Sequence, residues 1–282
     1  MLRSAAMSRG PDIEVCLART DAQVEAAQRL RYEVFVREWG AGVGAGGRDA
    51  DEYDALMDHL VVIDHGAGGR VVGTYRLLRH ERLRGEAEFY SSNEFDLAPL
   101  LGSGHRLLEL GRSCVLREYR SLPVLQKLWH AIAAYVAEHR IELMFGCASL
   151  RGTDPQAVRE QLSYLHHWHL APEALRPRAL ANRRTPMALM AKEAVDPLRA
   201  MRALEPIVRG YLRAGAWVGE DAWVDEEFNA IDVCIVMPTA RLRRRHREHF
   251  ERAIRRPLAA PIETETVPRA QVEPLAASAR GS

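Results

Sequence analysis

"LLELGRSCVL", residues 107 to 116, is an apolar run interrupted by Glu109 and Arg112. Its β-branched and aliphatic residues read as a strand, and three residues of separation put the two charges on opposite faces of a regular strand. An unpaired buried charge costs on the order of several kcal/mol, so at least one of them must face a partner, solvent or a ligand. Downstream, Ser121 and Pro123 start a long helix, "SLPVLQKLWHAIAAYVAEH" (121–139), and "ELMFGCASL" (142–150) is a further buried strand. Upstream, "HLVVIDH" and "RVVGTYRLLRH" flank a GAGG turn and predict a β-hairpin over 59–80. "EVCLA" (14–18) is strand-like; Thr20 with Gln23 then caps a helix whose Val24, Ala27, Leu30 and Val34 recur at helical spacing. "DPQAVREQLSYLHHW" (154–168) starts as a helix, and "TPMALMAKE" (185–193) reads as a strand. The order predicts a mixed α/β sheet with an antiparallel first half.

Length and composition bound the function. The chain has 282 residues, 47% hydrophobic and 27% charged, which suffices for a sizeable core. A net charge of +1 is too balanced for whole-protein attraction to nucleic acid. No apolar run approaches the roughly 20 residues needed to span a bilayer, and "MLRSAAMSRGPD" contains no apolar secretory core. Cys16, Cys114, Cys147 and Cys234 are far apart and form no CxxC pair, which predicts reduced, buried thiols in a cytosolic protein. Residues 1–12 are expected to be a flexible tail and 259–282 a disordered one.

Several groups are candidates for chemistry. Arg31 and Phe35 lie one helical turn apart on one face. "DADEYDALMDH" (49–59) gathers Asp49, Asp51, Glu52, Asp54 and Asp58, either as a solvated loop or as a site. Arg76 is a further charge embedded in a strand. The glycine-rich 40–48 stretch lacks the GK[ST] of a phosphate loop and follows a helix, which argues against a nucleotide cradle. His166, His167 and His169 have no carboxylate or cysteine at ligand spacing, and no metal site is expected.

"LRYEVFVREWG", "DEYDALMDHLVV", "VVGTYRLL", "FYSSNEFDL" and "LELGRSCV" together resemble the ornithine N-acyltransferases of ornithine-lipid synthesis, a branch of the GNAT superfamily. "LPVLQKLWHAIAAYV" and the 210–238 segment are similar to the same group, so the resemblance runs from about 14 to 250. It implies a GNAT-like, mixed and largely antiparallel central sheet flanked by helices. A core over 13–194 would carry a C-terminal extension over 195–258, ending in a basic helix. The implied reaction moves a 3-hydroxyacyl group from acyl carrier protein to the α-amino group of L-ornithine, giving lyso-ornithine lipid. The LR-x-x-VF helix, acidic loop and ELGR strand are also similar to acyl-homoserine-lactone synthases, the alternative enzyme. A catalytically idle GNAT-like module that binds acyl carrier protein or membrane is the alternative of another class.

Ornithine's carboxylate suits an arginine fork, its distal ammonium suits carboxylates, and its α-amine must lose a proton before attack. Glu109 is the candidate general base: the resemblance places it in the central strand whose counterpart in GNAT folds lines the acyl-donor cleft, and partial burial can also raise a glutamate's pKa. Asp51, Asp54 and Asp58 are candidates for holding ornithine or ordering the acidic loop. Arg31, Arg76 and Arg112 are candidates for carboxylate binding or for ion pairs with those acids, and the motif puts Phe35 beside the acceptor pocket. For the acyl donor, backbone donors near Ser113, Cys114 and Val115 would stabilise the oxyanion. Arg117, Arg120 and the helix start at Ser121 would attract the phosphate of the phosphopantetheine arm. Ser121 and Leu122 replace the glycines usual in that turn, which weakens the case for free coenzyme A. No cofactor is expected to be bound permanently.

Residues 241–256 hold eight arginines, with Leu242, Phe250 and Ile254 as a narrow apolar stripe. They predict either a solvated helix or contact with an anionic membrane surface or acidic carrier protein. Nucleic acid is not expected as a partner, since no aromatic platform accompanies the charge. The expected location is cytoplasmic, peripheral on the inner membrane face.

Overall fold

The computed structural model describes residues 12–44, 46–120, 122–242, 244–255 and 257–258. Ser121 and the expected tails, apart from Asp12, lie outside the described residues. The strands are β1 (Ile13–Leu17), β2 (Asp58–Asp64), β3 (Arg70–Arg79), β4 (Phe95–Asp96), β5 (Leu107–Val115) and β6 (Leu143–Arg151), followed by β7 (Arg178–Ala179), β8 (Arg184–Thr185), β9 (Trp217–Val218), β10 (Ala222–Asp225) and β11 (Ala230–Pro238). The helices are α1 (Asp21–Arg31), α2 (Ala98–Leu101), α3 (Leu122–Glu138), α4 (Arg159–His169), α5 (Pro197–Ala203), α6 (Pro206–Ala214) and α7 (Arg244–Ile254).

The main sheet runs β1-β2-β3-β5-β6-β11-β10-β8, with β9 also on β11, while β4 and β7 pair separately. Every pairing in it is antiparallel except β5 with β6. The mixed, largely antiparallel sheet expected from the sequence is therefore present. Both of its faces are covered, so its central strands are apolar on both sides. Along β5, β6 and β11 successive residues alternate between two cores: Leu108, Met144, Ile235 and Met237 join the larger one, and Leu107, Phe145, Cys234 and Val236 the smaller. Phe89, Phe95, Leu97 and Leu100 supply the cover for the smaller core.

Two departures from the sequence reading arise from pairing. Segment 185–193 is not a strand: only Arg184–Thr185 pairs, against β10, and Lys192–Ala194 forms a short 3-10 turn. The extension expected after residue 194 is not merely packed on the core. Its β11 lies inside the sheet and pairs with β6 from Ala230↔Arg151 to Pro238↔Leu143. A strand buried on every residue must have neighbours on both edges, which its continuous apolar run already demanded.

Two irregularities shape the centre of the sheet. β5 and β6 pair in parallel only from Leu107↔Leu143 to Glu109↔Phe145 and then diverge. At the divergence Gly146 has φ +157°, and a Cβ there would lie 2.1 Å from the Leu110 carbonyl oxygen, so the close approach admits only glycine. Opposite Tyr75, β5 also carries one residue more than β3, since Thr74 pairs with Cys114 but Arg76 with Gly111.

Candidate active site

Burial of Glu109 and the surplus residue in β5 create the site. Arg112 adopts a left-handed backbone (φ 47°) within the bulge. The inserted residue resets the alternation, so Glu109 and Arg112 line one cavity rather than opposite faces. This corrects the expectation from their spacing. The cavity opens where β5 and β6 part, with Phe35 and Trp39 from the widened helical segment Tyr32–Glu38 and its cap that continue α1, Tyr211 from α6 and Phe228 before β11 among its walls.

Glu109 is 1% exposed. Its two oxygens accept the backbone N–H groups of Tyr90 (3.0 Å) and Ser91 (2.6 Å). Burial raises its pKa, and the Ser91 and Tyr90 hydrogen bonds and the Arg76 charge oppose that without cancelling it. The Ser91 side chain adds a further hydrogen bond, and since a carboxylate offers about four acceptor directions, the group is held in place yet can still take a proton.

Arg112 lies between two rings, 4.6 Å from the Tyr90 centroid and 4.3 Å from that of Phe228. Its Nε donates to Asp49 Oδ2 (3.2 Å) and its Nη2 to Asp51 Oδ2 (3.3 Å). Burial works against its charge, while Tyr90, Asp49 and Asp51 outweigh that and raise its pKa.

The acidic loop is a folded network, not a solvated run. Arg31, fully buried, grips Asp54 end-on with Nη1 and Nη2 each 2.7 Å from one oxygen. It also donates to the Asp49 carbonyl through Nε and Nη2. Arg76, also fully buried, reaches Asp51 and Asp54 (3.0 Å to the latter). Gln28 adds a donor to Asp54. Burial pushes the Asp54 carboxyl up, but the Arg31 and Arg76 contacts dominate and hold it well below the ordinary carboxylate range. Asp58 stands apart, held by Arg82 (2.6 Å) and the Tyr135 hydroxyl (2.6 Å). Of the sequence candidates for the acceptor, Phe35, Arg76, Glu109 and Arg112 reach the cavity wall; Arg31, Asp51, Asp54 and Asp58 stand behind or beside it.

On the donor side Ser113 lines the cavity. Cys114 is buried, its thiol pushed up to about 12 by burial, and the Val115 carbonyl accepts from Arg120 Nε (2.9 Å). Beyond Glu109 the β6-facing edge of this strand has no partner in β6. Arg120 and Arg117 converge on Glu38, Arg120 end-on at 2.7 and 2.6 Å and Arg117 at 3.2 Å, with Arg151 3.7 Å away. The Arg120 hydrogen bonds keep the Glu38 carboxyl low. A second, apolar cavity shares Leu110, Cys147 and Tyr211 with the first and runs on between Met144, Ile235 and Met237.

Three further wall residues escaped the sequence reading: Glu94, Asp225 and Asp232. Glu94 sits in the quoted "FYSSNEFDL", yet nothing in that segment's pattern marks it as buried. Asp232 did carry a signal, being a lone charge in the apolar run "AIDVCIVMP", the same anomaly that exposes Glu109.

The basic helix is shorter than expected, Arg244–Ile254. Leu242 and Phe250 are buried in the main core and Ile254 packs against it, so the apolar stripe faces inward. Among the described residues no helix is long and apolar enough to cross a membrane.

Comparison with known proteins places this geometry. A family model described as an acetyltransferase (GNAT) domain matches residues 30–130. An L-ornithine N(alpha)-acyltransferase of Rhodobacter capsulatus is 47% identical over 252 residues, 86% of this chain and 95% of that protein. One from Brucella abortus is 42% identical over 254 residues, covering 86% of this chain and 90% of its own length. Among solved structures, a CoA-dependent acyl-homoserine lactone synthase has 17% identity and a TM-score of 0.48, covering 92% of this chain and 96% of its own.

Proposed function

The chain belongs to the L-ornithine N(alpha)-acyltransferase family of GNAT enzymes, and from that premise we propose that it moves a 3-hydroxyacyl group from acyl carrier protein to the α-amino group of L-ornithine, giving lyso-ornithine lipid. The observation that carries this reading is Glu109: a buried carboxyl, pinned by two backbone N–H groups, with its pKa raised, in a wall shared with Arg112. A carboxylate with a raised pKa is a better base near neutral pH, as amine activation requires.

In the proposed reaction the α-amine lone pair attacks the thioester carbonyl, and its N–H proton passes to Glu109 directly or through a water. Unpaired β5 edge donors around Ser113 to Val115 stabilise the oxyanion. The C–S bond then breaks, and the phosphopantetheine thiolate leaves and takes up a proton. The fatty chain is directed toward the apolar cleft between Met144, Ile235 and Met237, which has only about 10 Å³ of free volume and must widen to admit it. The phosphate of the arm competes with Glu38 for Arg117 and Arg120. The arm arrives as acyl-phosphopantetheine on its carrier protein, whose acidic surface suits these arginines. Arg31 and Arg76 act by holding the acidic loop, while Arg112 sits where it can meet the acceptor carboxylate.

The basic face of α7 supports a peripheral position on an anionic membrane. With the apolar stripe consumed by packing, the attraction is electrostatic rather than inserted. Lipid extracts from cells expressing the chain or its Glu109→Gln variant test the reading. Mass spectrometry is expected to reveal a new hydroxyacyl-ornithine only with the unaltered chain; an unchanged lipid profile overturns it.

A further inference from the structure

Resting on the acyl-transfer reading above, we propose that Glu94, Asp225 and Asp232 form a cation subsite for the side-chain ammonium of the acceptor, selecting a diamino acid over uncharged amino acids of the same length. One carboxylate oxygen from each lies within 4.8 Å of the others. Glu94, Asp225 and Asp232 are 1%, 4% and 3% exposed, come from separate segments, and line the cavity that contains Glu109.

The chain contains a contrasting acidic group. Asp49, Asp51 and Asp54 are neutralised by Arg31, Arg76 and Arg112. Among the described residues no arginine or lysine forms an ion pair with Glu94, Asp225 or Asp232. Glu94 Oε2 and Asp232 Oδ1 are buried and accept from no fixed donor; the two carboxyls are reached only by the Cys147 and Ser149 side chains and by a mutual hydrogen bond that needs a proton on one of them. Asp225 commits one oxygen to the N–H groups of Glu227 and Phe228, both at 2.9 Å. Buried acceptors left without donors are costly, and an ammonium brings three N–H donors to satisfy them.

Electrostatics agree with a subsite awaiting a cation. Burial raises the Glu94 carboxyl, and Asp232 adds to it. Burial likewise raises Asp232, reinforced by Asp225. Arg112 opposes these shifts from across the cavity but is committed to Asp49 and Asp51. Three carboxylate oxygens match the three N–H donors of one ammonium; a Mg²⁺ held there would need bound waters to complete its six ligands. With the distal ammonium held there, the α-amine is directed to the part of the cavity that Glu109 lines.

Calorimetry without acyl donor reads the subsite directly, using L-ornithine and L-norvaline, which lacks the distal amine. The unaltered chain is expected to bind ornithine at least about 100-fold more tightly. In Asp232→Asn and Glu94→Gln that preference should fall to about 10-fold or less, with norvaline binding and near-ultraviolet circular dichroism unchanged. Equal binding of the two amino acids, no ornithine binding, or variants that weaken both alike overturn the subsite. So does Mg²⁺ or Mn²⁺ binding that is lost in the variants yet does not compete with ornithine. Transfer from 3-hydroxyacyl carrier protein is then measured with both acceptors. Calorimetric discrimination without any transfer removes the enzymatic reading and leaves the subsite standing; transfer to both acceptors equally removes the subsite and leaves the enzyme.

Discussion

Arg31 meets Asp54 end-on, each terminal guanidinium nitrogen 2.7 Å from its own carboxylate oxygen, with neither side chain more than 8% exposed. The pair ties α1 to the acidic loop, which Arg76 and Arg112 then tie to the central sheet. Cutting it leaves a buried charge without its partner. Arg31→Ala is expected to lower unfolding stability by about 3–5 kcal/mol, read from urea melts. A loss below about 1 kcal/mol would mean that the network is dispensable. The pH dependence has a definite sign. Asp54 has a depressed folded pKa, so its contribution is full above the ordinary carboxylate range near pH ~4 and is lost as pH falls below it. The variant should lose that acid-sensitive component.

Glu109→Gln preserves shape and removes the base. Turnover should fall by about 10²- to 10⁴-fold while donor KM changes little, and the acid limb of the kcat/KM profile should vanish. Because burial raises the Glu109 pKa, that limb in the unaltered chain should lie above the usual carboxylate range. Turnover within about twofold of the unaltered chain removes Glu109 from the reaction.

Gly146 fixes where β5 and β6 part. A Cβ there would strike the Leu110 carbonyl oxygen, so Gly146→Ala must shift backbone on one strand or the other. Thermal unfolding should show a loss of at least about 2 kcal/mol. Turnover of the folded fraction should drop too, since Leu110 lines both cavities. An unaltered melting temperature would contradict this reading of the splay.

The basic helix presents exposed arginines while Phe250 points inward. Replacing Arg244, Arg252 and Arg255 by Gln should weaken sedimentation with anionic vesicles at low salt, at about 1 kcal/mol for each charge near the surface, without changing the melting temperature. Salt should erase the difference. Unchanged vesicle binding favours a plainly solvated helix.

The strands and the long helix were legible because burial leaves a period-two or period-3.6 imprint that needs no tertiary knowledge. Glu109, Arg76 and Arg112 were legible for the opposite reason: a charge inside such an imprint demands an explanation. The relative orientation of Glu109 and Arg112 was hidden, because a one-residue bulge changes face without changing composition. Nor could spacing divide the acids into those neutralised by arginines and those left bare. Asp54 is clasped by Arg31 and Arg76, whereas among the described residues no arginine or lysine pairs with Asp232, and only the fold decides which acid meets which guanidinium. Segment 185–193 misled because its apolar residues serve packing, not pairing: Met187 is fully buried with no strand partner among the described residues.

The most direct test of the central claim is reconstitution with 3-hydroxyacyl carrier protein and L-ornithine, with tandem mass spectrometry locating the new amide. The expected product is a singly acylated ornithine with its acyl group on the α-nitrogen and its distal amine free, formed by the unaltered chain and lost in Glu109→Gln. Acylation of the distal nitrogen, or no amide at all with an intact, folded protein, would contradict it.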